Sequence, residues 1–139
     1  MIAASQLLFY LAVLASTVFT MAAIPHNSIS SHVLDIANGK PAVGVRTIGY
    51  RLDCDGITWN VVGNTTTGQD GRVDSIHKNV PLEAGTYKIR FETKKYFDRI
   101  GQDTFFPYVE VPFVITDASQ HYHVPITLSN YGYSTYKGQ

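Results

Sequence analysis

The residues best suited to proton-transfer chemistry in this sequence are its five histidines, because imidazole titrates near neutral pH. His121 and His123 are two positions apart in HYHVPITL, so on an extended strand both project from one face, about 6.6 Å apart. His32, in SHVLDI, is the third histidine in a strand-like segment. His26 and His77 lie in the polar segments PHNSISS and SIHKNV and are expected to be solvated.

Three interpretations fit the strand-like histidines. They could be ordinary solvent-facing side chains, which are common on strands. A His-x-His pair with a third histidine is also a known zinc-binding arrangement. Alternatively, the imidazoles carry out metal-free acid–base catalysis. The spacing does not choose between these interpretations, although Leu34 shares the outward face of His32, which indicates that something covers this face.

An arginine beside these histidines would supply a fixed positive charge for an anionic or carbonyl-rich ligand. Arg72 follows the turn GQDG, where an arginine is ordinarily a solubilising charge. Arg46, Arg51, Arg90 and Arg99 are equally available, and their spacing does not distinguish them.

Composition excludes several classes of function. The 11 basic and 11 acidic residues give zero net charge, so nothing predicts nucleic acid or an anionic membrane surface as a partner. The length of 139 residues predicts one folded domain. Cys54 is the single cysteine, which excludes an intrachain disulfide and a cysteine-based zinc site; we expect a packed or partly exposed strand residue.

The first 22 residues have the pattern of a secretory signal peptide. Residues 7–24 carry no charge, and Ala22 and Ala23 provide a small-residue cleavage context before a polar segment. An uncleaved membrane anchor is the alternative, since about 18 apolar residues is the lower limit for spanning a bilayer. We expect residues 23–139 to form the mature domain, secreted or periplasmic rather than peroxisomal or cytosolic, without membrane contact after leader removal. The sequon that begins at Asn64 would place its loop on the surface of a secreted eukaryotic protein.

The elements that must position the histidines are short strands. Strict period-two alternation in TYKIRFET, YVEVPFVIT and HYHVPITL predicts half-buried antiparallel strands. Turn residues separate them at Asn38-Gly39, Asp55-Gly56, Asp70-Gly71, Glu83-Ala84-Gly85 and Ser129-Asn130. One helix is expected, in ETKKYFDRIGQ, ending before Gly101. The pattern therefore predicts an all-β sandwich or barrel.

Two prolines inside strand-like segments indicate edge strands. Pro112 and Pro125 cannot donate a ladder hydrogen bond, so each belongs at an edge or on the non-bonding side of a strand. Open edges are commonly protected by pairing with another subunit, which favours an oligomer.

The segment HYHVPITLSNYGYSTYKGQ (121–139) resembles the C-terminal motif of the 5-hydroxyisourate hydrolases, the enzymatic branch of the transthyretin-like family. HVLDIANGKPA (32–42) is similar to the N-terminal strand motif of that family, and DGR (70–72) to its middle motif. YKIRFETKKYF and FFPYVEVPF also match in character and order. The resemblance covers residues 31–139, and its C-terminal block is the specific part.

The resemblance implies a transthyretin-like eight-stranded β-sandwich with one short helix, assembled as a homotetramer. The outer faces of the terminal strands would line a channel between dimers, covering His32, Leu34 and His123. The family reaction uses no cofactor and no metal, which disfavours the zinc interpretation.

The resemblance also assigns roles to individual residues. The catalytic residues of the family fall on His32, Arg72 and His123. The substrate-binding residues fall on His32, Arg72, Tyr136 and Lys137, and His121 becomes a rim or structural residue. Lys137 and Gln139 stand where the terminal tetrapeptide of the family has Arg and Ser.

The implied reaction is hydrolysis of 5-hydroxyisourate to 2-oxo-4-hydroxy-4-carboxy-5-ureidoimidazoline in urate degradation. Water adds to a ring carbonyl and the adjacent C–N bond breaks, which requires a base, an acid and a stabilised oxyanion. The alternative is a secreted transthyretin-like carrier of a small ligand such as a hormone, without hydrolase activity. Retention of His32, Arg72, His123 and Tyr136 favours the enzyme.

Overall fold

The computed structural model describes residues 27–78 and 80–139. The expected leader (residues 1–22), its cleavage site and His26 lie outside these residues. Within the described ranges, no helix has the length and apolar character needed to cross a bilayer.

Ten strands and one short helix build two stacked β-sheets in the described chain. In order they are β1 (Ile29–Asp35), β2 (Lys40–Pro41), β3 (Arg46–Leu52), β4 (Trp59–Thr66), β5 (Arg72–Val73), β6 (Gly85–Phe91), α1 (Thr93–Arg99), β7 (Val109–Ile115), β8 (Tyr122–His123), β9 (Ile126–Ser129) and β10 (Gly132–Thr135). The all-β sandwich with a single short helix is confirmed. The structure has ten strands where eight were expected, and three of the ten, β2, β5 and β8, are only two residues long.

Strand β1 is the centre of the six-stranded sheet. Its path order is β10-β9-β1-β2, and β5 and β8 also pair with β1. The pairs of β1 with β2 and β5 are antiparallel, whereas those with β8 and β9 are parallel. The expectation of antiparallel strands is wrong for these last two, because period-two alternation reports which face is covered and not the direction of the neighbour. Between β1 and β8 the chain passes through the second sheet, and a connection of that length allows β8 and β9 to run parallel to β1.

The second sheet has the order β4-β3-β6-β7 and is antiparallel throughout. Pro112 lies on its edge strand β7, opposite Lys88, as expected for a residue that cannot donate a ladder bond. Pro125 lies at the interruption between β8 and β9.

The core between the sheets is made by the alternating positions that the sequence indicated. The inward side chains of β6, β7, β8 and β9 include Tyr87, Ile89, Phe91, Val109, Val111, Ile115, Tyr122, Ile126 and Leu128, all buried. Strand β1 contributes Ile29 and Val33 to the same cluster. The opposite faces of β1 and β8 are therefore free to carry functional groups.

Helix α1 is joined to the end of β1 by a buried hydrogen bond. It begins at Thr93 and is followed by Gly101, whose φ of 70° favours glycine, as predicted. The hydroxyl of Tyr96 donates to Asp35 Oδ2 at 2.7 Å, and Asn38 donates its backbone and side-chain N–H groups to the same carboxylate. Burial raises the pKa of Asp35, but these hydrogen bonds outweigh burial and hold the pKa below its ordinary value.

Replacing Tyr96 by phenylalanine should lower the free energy of unfolding by about 1–3 kcal/mol at neutral pH, since a buried carboxylate loses a donor. A depressed folded-state pKa contributes stability that is present above the ordinary value of 3.8 and lost as pH falls through the folded value. The difference between wild type and Tyr96→Phe should therefore shrink in acid. Urea unfolding at pH 7 and pH 3 measures it.

Tyr87→Phe is the matched control, because Tyr87 donates to the neutral carbonyl of Glu83. This variant should lower the free energy of unfolding by the same amount at pH 7 and at pH 3. A Tyr96→Phe deficit that is the same at pH 7 and pH 3 would contradict the carboxylate explanation.

Three local expectations differ from the structure. His77 is buried rather than solvated, with 7% of its surface exposed and Nδ1 donating to Val80 O at 2.8 Å. Cys54 is exposed in a turn and not packed in a strand. Asn64 is exposed on the edge strand β4 rather than in a loop. In each case a short polar segment has no periodicity that reports burial or strand pairing.

Candidate active site

The strand register brings four polar side chains into a row across the six-stranded sheet. Ser30 on β1 is paired with His123 on β8, and His32 on β1 is paired with Arg72 on β5. Positions two apart on a strand project from the same face, and paired positions project together. His123, Ser30, His32 and Arg72 therefore share one face, the one opposite the core.

The strand register distinguishes Arg72 from the other arginines, which the sequence alone left equivalent. Arg72 is the arginine in register with His32 on the six-stranded sheet, whereas Arg46, Arg51 and Arg90 lie on the four-stranded sheet. Arg99 donates to the carbonyls of the loop after β2. The Arg72 side chain is exposed and makes no hydrogen bond or ion pair with the described residues.

The DGR turn holds both His32 and Arg72. His32 Nε2 lies 3.0 Å from the carbonyl oxygen of Asp70, and the Asp70 carboxylate accepts the backbone N–H of Arg72 at 2.9 Å. Gly71 adopts a φ of 75°, and a Cβ there would crowd the carbonyl of Val33. The turn thus places Arg72 close to the Asp70 carbonyl oxygen that binds the His32 ring.

The Asp70 contact determines the tautomer of neutral His32. A carbonyl oxygen only accepts, so His32 Nε2 must carry the hydrogen that it donates. Nδ1 then keeps its lone pair and is able to accept a hydrogen bond from water or substrate. His32 is half-buried, as expected for a side chain on a partly covered face.

His123 is held through its other ring nitrogen. Its Nδ1 lies 2.7 Å from Ser30 Oγ, and Nε2 has no hydrogen-bond partner in residues 27–78 and 80–139. Burial lowers the pKa of His123, and the positive charges of Arg72, His121 and His32 lower it further. His123 is therefore neutral at neutral pH, with one ring nitrogen free to take part in proton transfer.

His121 occupies a different position from His123. It is exposed, with Nδ1 2.7 Å from Ser28 Oγ and Nε2 2.9 Å from Ser30 Oγ. Its ring centroid is 6.4 Å from that of His123. Ser28 and Ser30 were not singled out from the sequence, although their period-two spacing with His32 places all three on one face.

The C-terminal segment packs against His123 from the other side. Gly138 donates its N–H to the carbonyl of His123 at 2.8 Å. A cavity of about 300 Å³ is lined by His123, Tyr136 and Lys137 together with residues of β7, and the Lys137 ammonium lies 5.7 Å from the ring centroid of Tyr122. His32 and Arg72 do not line this cavity. His123 thus stands between the His32–Arg72 row and the cavity that holds Tyr136 and Lys137.

In the part of the chain that the structure describes, no three His, Cys, Asp or Glu side chains are grouped as metal ligands. Ser30 Oγ lies between the imidazoles of His121 and His123 and contacts a ring nitrogen of each.

Replacing Gly138 by alanine should displace the His123 ring, because a Cβ at this position would overlap Cδ2 and lie 3.1 Å from Cγ. A misplacement of about 1 Å can cost about 10²-fold in rate, so we expect a loss of that order in whatever reaction His123 supports. The steady-state rate constant kcat is the measurement.

Gly132→Ala is the control, since a Cβ there meets only Ser129 Oγ at an ordinary 3.5 Å. It should leave kcat near the wild-type value. Full activity of Gly138→Ala would show that the ring position is not critical.

Comparisons with known proteins identify relatives of this chain. The model of the HIUase/Transthyretin family matches residues 29–138. A probable 5-hydroxyisourate hydrolase of Caenorhabditis elegans is 44% identical over 135 residues, covering 96% of this chain and 98% of the relative. The 5-hydroxyisourate hydrolase of Mus musculus is 40% identical over 110 residues, covering 79% and 93%. The structure of Klebsiella pneumoniae 5-hydroxyisourate hydrolase superposes with a TM-score of 0.70 at 33% identity, covering 81% of this chain and 99% of that one.

Proposed function

The chain belongs to the HIUase/Transthyretin family, and we propose that it is a hydrolase that opens 5-hydroxyisourate in urate degradation. The observation that carries the proposal is the row on one sheet face, where a cation, Arg72, and two imidazoles, His32 and His123, face the same space. Relatives that cover nearly all of this chain bear the name of that activity.

The reaction adds one water to an amide of the oxidised purine ring. Water forms a C–O bond with a ring carbonyl carbon, and the carbonyl oxygen becomes an oxyanion. The tetrahedral centre then expels the adjacent ring nitrogen, which takes up a proton as the C–N bond breaks. The product, 2-oxo-4-hydroxy-4-carboxy-5-ureidoimidazoline, keeps every atom of substrate and water.

In the proposed mechanism the two histidines act on the same water molecule, one as its base and the other as the group that orients it. His123 Nε2, unpaired among the described residues and kept neutral by its surroundings, takes the proton from water as the C–O bond forms. His32 Nδ1 orients the same water as a hydrogen-bond acceptor, because its Nε2–H is committed to Asp70. His123 then returns the proton to the leaving nitrogen.

Arg72 is the proposed binding group for the oxygens of the substrate. Its guanidinium is charged at all relevant pH values and offers a planar set of donors. Beside His32 it would stabilise the developing oxyanion, as any preorganised donor does. Tyr136 and Lys137 would contact the flat ring from the cavity on the far side of His123.

We further propose that the active unit is a homotetramer. Large hydrophobic side chains are exposed on or beside the edge strands β7 and β10: Phe105, Val114, Tyr131, Tyr133 and Tyr136. Such a band around two open edges favours pairing with further copies of the chain. Sedimentation equilibrium should give four times the chain mass, and a monomer would exclude the assembly.

Export is also part of the proposal, and it is supported by the uncharged residues 7–24. Expression of the full chain with its leader, followed by N-terminal sequencing of the protein outside the cell, tests it. An uncleaved N-terminus in the cytosolic fraction would contradict export.

The deciding experiment adds purified protein to freshly generated 5-hydroxyisourate and follows its ultraviolet absorbance. We expect decay well above the spontaneous rate and proportional to protein concentration. A rate equal to the spontaneous one would overturn the hydrolase proposal. Binding of the compound without accelerated decay would instead support a small-ligand carrier.

A further inference from the structure

Four side chains form a continuous hydrogen-bonded series beside the proposed base. Ser28 Oγ lies 2.7 Å from His121 Nδ1, His121 Nε2 lies 2.9 Å from Ser30 Oγ, and Ser30 Oγ lies 2.7 Å from His123 Nδ1. Each contact is within normal hydrogen-bond length. The series runs from the buried Ser28 through the exposed His121 to His123, whose Nε2 is unpaired among the described residues.

The chemistry of these groups allows two arrangements of hydrogens. A hydroxyl donates one hydrogen and accepts at its lone pairs, and a neutral imidazole donates from one nitrogen and accepts at the other. In the first arrangement His123 Nδ1–H donates to Ser30, and Ser30 O–H donates to His121 Nε2, so His123 Nε2 is a base. In the second, both donors are reversed and His123 Nε2 carries the hydrogen, so it is an acid.

We propose that Ser30 is a positioning residue that couples His123 to His121 and lets the proton taken up at the active site be carried as charge on His121. This inference rests on the proposed hydrolase function. After His123 Nε2 accepts a proton from water, Nδ1–H moves to Ser30 while the Ser30 hydrogen moves to His121 Nε2. His123 is then neutral with Nε2–H, and His121 is the imidazolium. The reverse transfer follows when His123 Nε2–H protonates the leaving nitrogen.

Burial and charge favour this direction of transfer. An imidazolium at His123 would be partly buried and would face Arg72 on β5 and His32 on β1, both of which disfavour a second positive charge. His121 is exposed, so water solvates the charge there. Lys137, the other cation near His123, lies over the Tyr122 ring on the cavity side.

Ser30 is suited to this role because little water competes for its hydroxyl. Only 7% of its surface is exposed, and both of its side-chain contacts are to imidazole nitrogens. The neighbouring Ser31, also buried, instead donates to the carbonyl of Val124 at 2.8 Å, and its hydroxyl makes no hydrogen bond to a histidine of the described residues. The two serines are therefore adjacent on β1 and both buried, but only the Ser30 hydroxyl joins two imidazoles.

The test compares Ser30→Ala, His121→Asn and the double variant in steady-state hydrolysis of 5-hydroxyisourate. Each single change should lower kcat by about 10- to 100-fold with KM nearly unchanged, which is less than the roughly 10²- to 10⁴-fold contribution of an acid–base group itself, because His123 is retained. The double variant should lose no more than the more severe single variant, because both changes break one series. Ser30→Thr keeps the hydroxyl and should restore most of kcat.

Ser31→Ala is the matched control and should lower stability without lowering kcat. Wild-type kcat in Ser30→Ala, or losses that multiply in the double variant, would overturn the proposal.

A second measurement does not depend on turnover. In nitrogen-15 NMR of the imidazole rings, His121 and His123 should titrate as a coupled pair in the wild type and separately in Ser30→Ala. Separate titration in the wild type would overturn the coupling even if hydrolysis is observed. Coupled titration in a protein without hydrolase activity would leave the coupling standing and reject only the proposed function.

Discussion

Asparagine in place of His123 should lower the turnover of 5-hydroxyisourate by about two to four orders of magnitude, the usual contribution of a positioned acid–base group. The asparagine amide is able to reach Ser30 Oγ as the Nδ1 side of the imidazole does, so the local packing is preserved. It has no counterpart of Nε2, the nitrogen that is proposed to take the proton from water. We therefore expect the loss in kcat, with KM changed little.

The same assay on His121→Asn supplies a matched control two residues away. That variant should lose at most about 100-fold, the lower limit for loss of an acid–base group, since His121 acts through His123 and does not touch the reacting atoms. Circular dichroism and the urea midpoint should match wild type for both variants. Wild-type turnover in His123→Asn would show that another group is the base, and His32 would be the next one to replace.

Removing the charge of Arg72 should have the second large effect. Arg72→Gln is expected to lower kcat by about 10²- to 10³-fold, the range found when a donor to a developing oxyanion is lost. Arg72→Lys keeps the charge but not the planar pair of donors, so its loss should be smaller. Arg46→Gln is the control, because Arg46 lies on the four-stranded sheet and donates to Asn64. It should leave kcat unchanged.

Arg72→Gln should also change the pH dependence. Burial is the first cause that lowers the pKa of His123, and the charge of Arg72 is the next. Without that charge the pKa rises toward its ordinary value of 6.5, so His123 becomes protonated at a higher pH. The acid limb of kcat/KM reports the pKa of the free enzyme and should move to higher pH in Arg72→Gln but not in Arg72→Lys. An unmoved limb would show that Arg72 does not act on the group that titrates.

Much of the fold could be predicted from local sequence pattern. The alternation in TYKIRFET and YVEVPFVIT corresponds to β6 and β7, whose expected inward residues are buried except for the half-buried Phe113, and helix α1 ends before Gly101. These features depend on neighbours within a few positions, since side chains alternate along a strand and glycine adopts positive φ at little cost. Polar segments without periodicity were less informative, and His77 is buried where solvation was expected.

The sequence by itself determined the residue types available for acid–base chemistry and the faces on which they project. His32 and Leu34 on one face, and Val33 on the other, follow from a period of two within β1. The resemblance of the C-terminal block and of DGR named Arg72 and His123 as partners, but nothing in their spacing placed them beside His32.

Only the tertiary structure decided which side chains are neighbours. The pairing of Ser30 with His123 joins positions 93 residues apart, and that of His32 with Arg72 joins β1 to a two-residue strand. Register between distant strands is set by how whole faces pack in the core, because a slip of one residue would turn every buried side chain outward. That constraint acts on the folded sheet as a whole, which is why Ser30 could be recognised as the link between two histidines only once β1 and β8 lay side by side.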